Sequence, residues 1–246
     1  MDGQSLLLLA LAIGAAATLY SSVGHGGASS YIALMALWGL APEEIRPAAL
    51  VLNIIVAGYA AFAFLRAGRF DWSVFWPFAV AAIPAAWFSG RIDVPPELYR
   101  PLLALALGAA ALRYLIWPKL DANLVTRAPS PAVALPVGAT LGALAGLTGI
   151  GGGVYLSPLL VFARWCDPQK AAGIAACFII VNSAAGLAGR MSSLAALPLF
   201  LPYLIAAALA GAVIGAGVSV AKLDRAGILR ALGVVLGVAA LALVLK

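Results

Sequence analysis

Charge is what this sequence has least of. Of its 246 residues, fifteen are Lys or Arg and nine are Asp or Glu, one tenth of the chain. A soluble domain of this length needs far more polar surface, because most of its outer shell must face water. That excludes a water-soluble globular fold. Cysteine occurs twice, at Cys166 and Cys177, with no partner motif, so a disulfide framework is excluded and both read as small apolar side chains. Histidine occurs once, at His25, with no Cys, Asp or Glu nearby in the sequence, so no metal site is expected. Asp2 is the only charge ahead of the first apolar run, where a cleavable signal would carry Lys or Arg. There is no P-loop and no Gly-x-Ser-x-Gly elbow, and no cofactor is expected. The net charge of +6 and pI near 9.6 come from basic residues scattered over short loops. They form no stripe for a phosphate backbone, so nucleic acid is not an expected partner.

What is there is apolar sequence: 64% of the chain, with a mean hydropathy of +1.07. It falls into ten runs, at residues 5–20, 28–40, 47–65, 73–89, 101–117, 131–147, 154–165, 171–189, 197–220 and 227–245. The charged residues lie between the runs or at their edges, where a hydrocarbon core about 30 Å thick tolerates them. Without water to satisfy backbone groups, each run must be helical where lipid touches it. The second run of each set of five is too short for a full crossing, at roughly 20 Å for 1.5 Å per residue. The expected fold is an all-α polytopic membrane protein with the bilayer as its solvent.

The two halves match. Gly24-His25-Gly26-Gly27-Ala28 precedes Gly149-Ile150-Gly151-Gly152-Gly153 by 125 positions, and Arg46/Lys170, Arg66/Arg190 and Pro77/Pro202 follow in the same order. This is an internal repeat. It divides the chain into a first membrane repeat at 1–117, a linker at 118–130 and a second repeat at 131–246. Residues 5 to 40 are too long for one interrupted crossing, so the first two runs form a hairpin, fully crossing or re-entrant. Each half then crosses an odd number of times, and the halves are inverted relative to one another. Alternating the loops puts Arg46, Arg91, Arg100, Arg190 and Lys246 on one side. The other receives Arg66, Arg69, Arg113, Lys119, Arg127, Arg164, Lys170, Lys222, Arg225 and Arg230. The richer side is expected to be cytoplasmic, with both termini periplasmic in a cell inner membrane.

The glycine clusters carry the functional reading. Breaks in apolar helices free N–H and C=O groups that lipid cannot satisfy, so they survive only inside protein or beside a wet cavity. Each cluster precedes a short helix, so an N-terminus faces the break with its partial positive charge and unpaired N–H donors. Two such ends converging would stabilise a monovalent anion. The candidate substrate-binding residues are Gly24, His25, Gly26, Gly27, Ser29, Ser30 and Asn53 in the first half. In the second they are Gly149, Gly151, Gly152, Gly153, Tyr155, Ser157 and Asn182. The hydroxyls of Ser21, Ser22, Tyr31 and Thr148 also flank the breaks; all these hydroxyls either complete an anion's hydrogen-bond shell or bond back to helix carbonyls. Asn53, Asn182 and Ser183 lie deep in their runs and serve as interhelical hydrogen bonds or as support for the site. Scattered glycines such as Gly211, Gly215 and Gly217 read as helix-packing positions. His25, at membrane depth in a broken helix, is either a paired polar side chain or a proton carrier coupled to anion movement.

On these residues the chain resembles the TauE/SafE family of sulfite exporters. The resemblance rests on Gly149–Gly153 followed by Leu156-Ser157-Pro158-Leu159-Leu160, on the weaker copy Gly24–Ala28, and on Ala171-Ala172-Gly173 through Asn182-Ser183-Ala184-Ala185-Gly186. It implies a secondary carrier for small sulfur-containing anions such as sulfite or sulfonates. The sequence departs from the family pattern at His25 and Ala28. Two alternatives stand beside an alternating-access carrier: an anion channel with the breaks as its filter, and an intramembrane enzyme using His25 with a serine. No catalytic residue is assigned, and a homo-oligomer is neither required nor excluded.

Overall fold

The computed structural model describes residues 2–22, 24–92, 95–116, 127–220, 230, 233–234, 237 and 240–241. Among the described residues all regular structure is helical: α1 (Gly3–Ser22), α2 (Ala28–Leu37), α3 (Pro42–Arg66), α4 (Trp72–Gly90), α5 (Pro96–Ile116), α6 (Pro131–Thr148), α7 (Gly153–Phe162), α8 (Pro168–Gly189) and α9 (Leu201–Val220), with a 3-10 turn at Met191–Ala196. Five of these helices are long and apolar enough to cross a bilayer. Most of the linker and of the tenth apolar run lies outside the described residues.

Helix starts follow local chemistry more than the edge of apolar sequence. Pro42, Pro131 and Pro168 stand in first turns, where the missing N–H removes no intrahelical bond. Asp167 caps α8 by accepting from Gln169 N at 3.0 Å and Lys170 N at 2.9 Å. Asp71 caps α4, accepting from Ser73 N at 3.1 Å and Ser73 Oγ at 2.6 Å. The Ser73 side-chain bond holds the Asp71 carboxyl below the usual carboxylate range. A depressed native pKa contributes stability above the unfolded value and loses it as pH falls. Asp71→Ala is therefore expected to lower stability by about 1 kcal/mol at neutral pH, with the difference shrinking towards pH 3; melting in detergent at both pH values checks this.

The start of α3 corrects the sequence reading. Helix begins at Pro42, five residues before the apolar run, because the Glu44 carboxylate accepts from Ala41 N at 3.2 Å and closes the first turn. Arg46 is therefore no loop charge. It is buried within α3, and its Nη2 donates to Gly146 O at 2.9 Å.

Two hairpins have the same internal register. Helices α2 and α7 are both ten residues long and start 125 positions apart. Each is closed at its C-terminus by the same pair of backbone bonds. In the first hairpin these are Gly39 N to Ala36 O and Leu40 N to Met35 O; in the second, Arg164 N to Val161 O and Trp165 N to Leu160 O. Gly39 takes φ +81° and its counterpart Arg164, unusually for a non-glycine residue, +56°. Both hairpins return to where they began: Trp38 Nε1 donates to Ser5 O at 3.1 Å, and Arg127 N to Arg164 O at 2.9 Å.

Packing exchanges elements between the halves: α1 lies on α9, α4 on α6, and α3 on α8. Small residues let the backbones touch. Gly211 sits against Gly14 O and Gly215 against Thr18 O, while Gly138, Gly142 and Gly146 sit against the carbonyls of Phe78, Ala82 and Ala86. Gly217 differs from expectation, with no described atom within 4 Å of where a Cβ would stand.

Candidate functional site

The two glycine breaks meet on one side chain. Asn53, halfway along α3 and fully buried, accepts from Ala28 N at 3.2 Å, the first amide of α2. Its amide nitrogen donates to Ile150 O at 3.3 Å in the second break and to Ser183 Oγ at 3.1 Å on α8. A methyl group added to either Gly26 or Gly151 would overlap the Asn53 amide, and both would also press on Ile179 Cγ2. Every residue of Gly24–Ser30 and of Thr148–Val154 is buried, so both breaks are enclosed by protein.

Glycine is needed at several of these positions for backbone reasons. Gly24, Gly27, Gly149, Gly151 and Gly152 all have φ between +75° and +93°, where a side chain is strained. Gly27 and Gly152 are the N-caps of α2 and α7, so each half-helix starts at its break. Ten residues make about 15 Å of helix, half the thickness of a hydrocarbon core of about 30 Å.

The outer corners of the breaks pack elsewhere. Gly24 lies against Phe64 and Ala172, and Gly149 against Arg46 and Ile32. Gly153 stands where Ala28 stands in the first copy, and a Cβ there would strike the Ile179 side chain and Ala175 O. That contact explains the one glycine by which the copies differ.

Polar side chains divide into two groups. Ser21, Ser22 and Thr148 bond back to Thr18 O, Leu19 O and Leu144 O of their own helices. Ser29 and Ser30 instead converge on Tyr20, with Tyr20 Oη to Ser29 Oγ at 2.6 Å and Ser30 Oγ donating to Tyr20 Oη at 3.3 Å. The fully buried Tyr31 hydroxyl lies over Gly27 without a hydrogen-bond partner among the described residues. His25 crosses between the halves, its Nε2 lying 2.8 Å from Ser157 Oγ at the start of the second turn of α7. Tyr155, two residues before Ser157, is half-buried.

Asn182 turns to its own helix, donating from Nδ2 to Phe178 O at 3.0 Å, and its neighbour Ser183 reaches Asn53 instead. Tyr20, Ser183 and Arg46 are not among the sequence-derived binding candidates. A polar side chain inside an apolar run is the signal that marks Tyr20 and Ser183; Arg46 stands outside its run, where it reads as a loop charge.

A family profile described as sulfite exporter TauE/SafE matches residues 8–243. The chain belongs to this family. A curated relative, the probable membrane transporter protein y4hK of Sinorhizobium fredii, is 38% identical over 219 residues, covering 88% of each chain. No solved structure matches. This TauE/SafE protein is thus a multi-pass membrane transporter and not an enzyme. The intramembrane-enzyme alternative falls with that assignment, although His25 and Ser157 stand in hydrogen-bond contact.

Proposed function

We propose that this transporter is a secondary carrier of small anions, sulfite or organosulfonates, and that the anion binds where the half-helices α2 and α7 begin. The observation that carries this reading is the sharing of Asn53 by both glycine breaks. Two helix N-termini at that point supply roughly one unit of positive charge without a lysine or arginine in the site. The unpartnered Tyr31 hydroxyl at the first break is a donor available to an anion's oxygen.

The chain path supports a reading of alternating access between inverted halves. The first hairpin begins and ends on one side, from which α3 leads to the loop before α4. That loop meets the start of α8, with Lys170 Nζ 3.8 Å from Asp71 Oδ2 and Gly173 packed on Arg69 O. The second hairpin enters and leaves on this opposite side, and α8 returns to put Arg190 against Gly90 O at 2.9 Å. Each hairpin then carries its break inward from a different face, as in carriers built from inverted repeats. With the buried Arg46 removed from the loop count, the excess of basic residues on the α3–α4 side grows. That favours periplasmic termini in an inner membrane.

His25 links the halves through Ser157, so its protonation would alter a contact made across the moving interface. Radiolabelled sulfite, a sulfonate and chloride offered to proteoliposomes, with and without a pH gradient, test the reading. Saturable sulfite or sulfonate flux exceeding chloride flux is expected. Conductance far above carrier turnover would point to a channel instead. His25→Gln is expected to abolish gradient-driven accumulation while leaving downhill exchange above one tenth of the native rate, roughly.

A further inference from the structure

A cavity of about 630 Å³ opens on the side where α4 and α8 end, lined by Glu43, Trp87, Arg91, Arg190, Ser192 and Ser193 among others. Two arginines and one glutamate are among the residues that line it. The Arg91 guanidinium carbon lies over the Trp87 ring, 4.4 Å from its centroid. Arg190 is held by bonds from Nε to Gly90 O at 2.9 Å and from Nη2 to Ile92 O at 2.7 Å. Ser193 Oγ donates to Arg190 O at 2.8 Å, and Ser192 is exposed.

We propose that this cavity is a second anion site, a vestibule for small oxyanions such as sulfonates, separated from the second glycine break by the Arg46 guanidinium. Helix capping accounts for the bonds of Arg190, but it does not account for Arg91, whose guanidinium lies on a ring face. A chain of packed contacts leads inward from the cavity. Gly90, which Arg190 holds, packs with Ser89 against Gly146, and Gly146 is the residue whose carbonyl Arg46 grips. Gly149 of the break lies three residues on, against the Arg46 backbone. An anion leaving the cavity inward meets Arg46 first, and its oxygens compete with Gly146 O for the same fork.

Among the described residues the opposite side is arranged differently. A smaller cavity there is lined by Arg127, Arg164, Ser130 and Trp165. Lys170, the sequence counterpart of Arg46, has a side chain 42% exposed and is engaged with Asp71. The inner barrier on that side holds no buried cation at the matching position. The two entrances therefore differ in how they present charge to an arriving anion.

The vestibule's use in transport rests on the carrier reading, but its affinity for anions does not, and the test separates them. In a protein with Cys166→Ala and Cys177→Ala, Ser192→Cys is reacted with a sulfonate-bearing and with a trimethylammonium-bearing methanethiosulfonate, each rate referred to free cysteine. The sulfonate reagent is expected to be favoured by about tenfold, since a cationic cleft concentrates anions by such factors. Excess methanesulfonate should slow the reaction. Arg91→Gln should bring the preference close to one, and Arg91→Lys should restore most of it. No preference, or a preference that Arg91→Gln leaves intact, overturns the proposal. A preference in protein that moves no anion in liposomes upholds the vestibule and defeats the carrier reading.

Discussion

Gly151→Ala is expected to stop transport while leaving a folded protein in the membrane. Gly151 has φ +80°, a conformation that costs an alanine about 1–2 kcal/mol. Its new methyl group would also overlap the Asn53 amide and stand 3.0 Å from Ser183 Oγ. Something must shift, and the group nearest is the side chain that joins the two breaks. Displacing a binding group by about 1 Å costs on the order of a hundredfold in rate, so sulfite flux should fall to near 1% of native. Gly26→Ala should behave alike, because its methyl strikes the same amide from the first break. Gly58→Ala on α3, with no described atom within 4 Å of the added methyl, should transport normally. Flux per reconstituted protein, read beside the melting temperature, separates a closed site from an unfolded chain.

Asn53→Ala is expected to damage both stability and transport. It deprives Ala28 N, Ile150 O and Ser183 Oγ of their shared partner in a fully buried setting. Unpaired buried groups cost about 1–3 kcal/mol each, although membrane interiors often return part of this through new partners. A loss of about 2 kcal/mol or more is expected, seen as a lower melting temperature together with loss of flux. Ser183→Ala removes one of the three bonds and keeps Asn53 in place. It should retain flux within about tenfold of native, as fits a single neutral hydrogen bond.

How much of this is legible in the sequence varies with the kind of residue. The breaks are legible because packing at i, i+4 needs only spaced glycines, so consecutive ones in an apolar run mark a helix that stops. The offset of 125 anticipates two short helices of identical length and matching caps. The hairpin return is legible too, since counting residues sets the path. Rotation of the helices is not. In α8, apolar residues surround the axis on all sides, so no amphipathic stripe says whether Asn182 or Ser183 faces the partner half. The meeting of His25 with Ser157 spans 132 positions of chain and leaves no local pattern. Arg46 escapes a reading that starts the helix where apolar sequence begins, whereas Pro42 and Glu44 start it more than a turn earlier.

Both breaks are buried in this structure, and the carrier reading requires them to open alternately. Ser157→Cys, in protein lacking Cys166 and Cys177, tests that requirement directly through labelling by a membrane-impermeant thiol reagent added to one side at a time. The account predicts reaction from either side, in proportions that a substrate gradient shifts, with sulfonate substrate slowing both. Reaction from one side alone, or from neither while substrate is being moved, would contradict it.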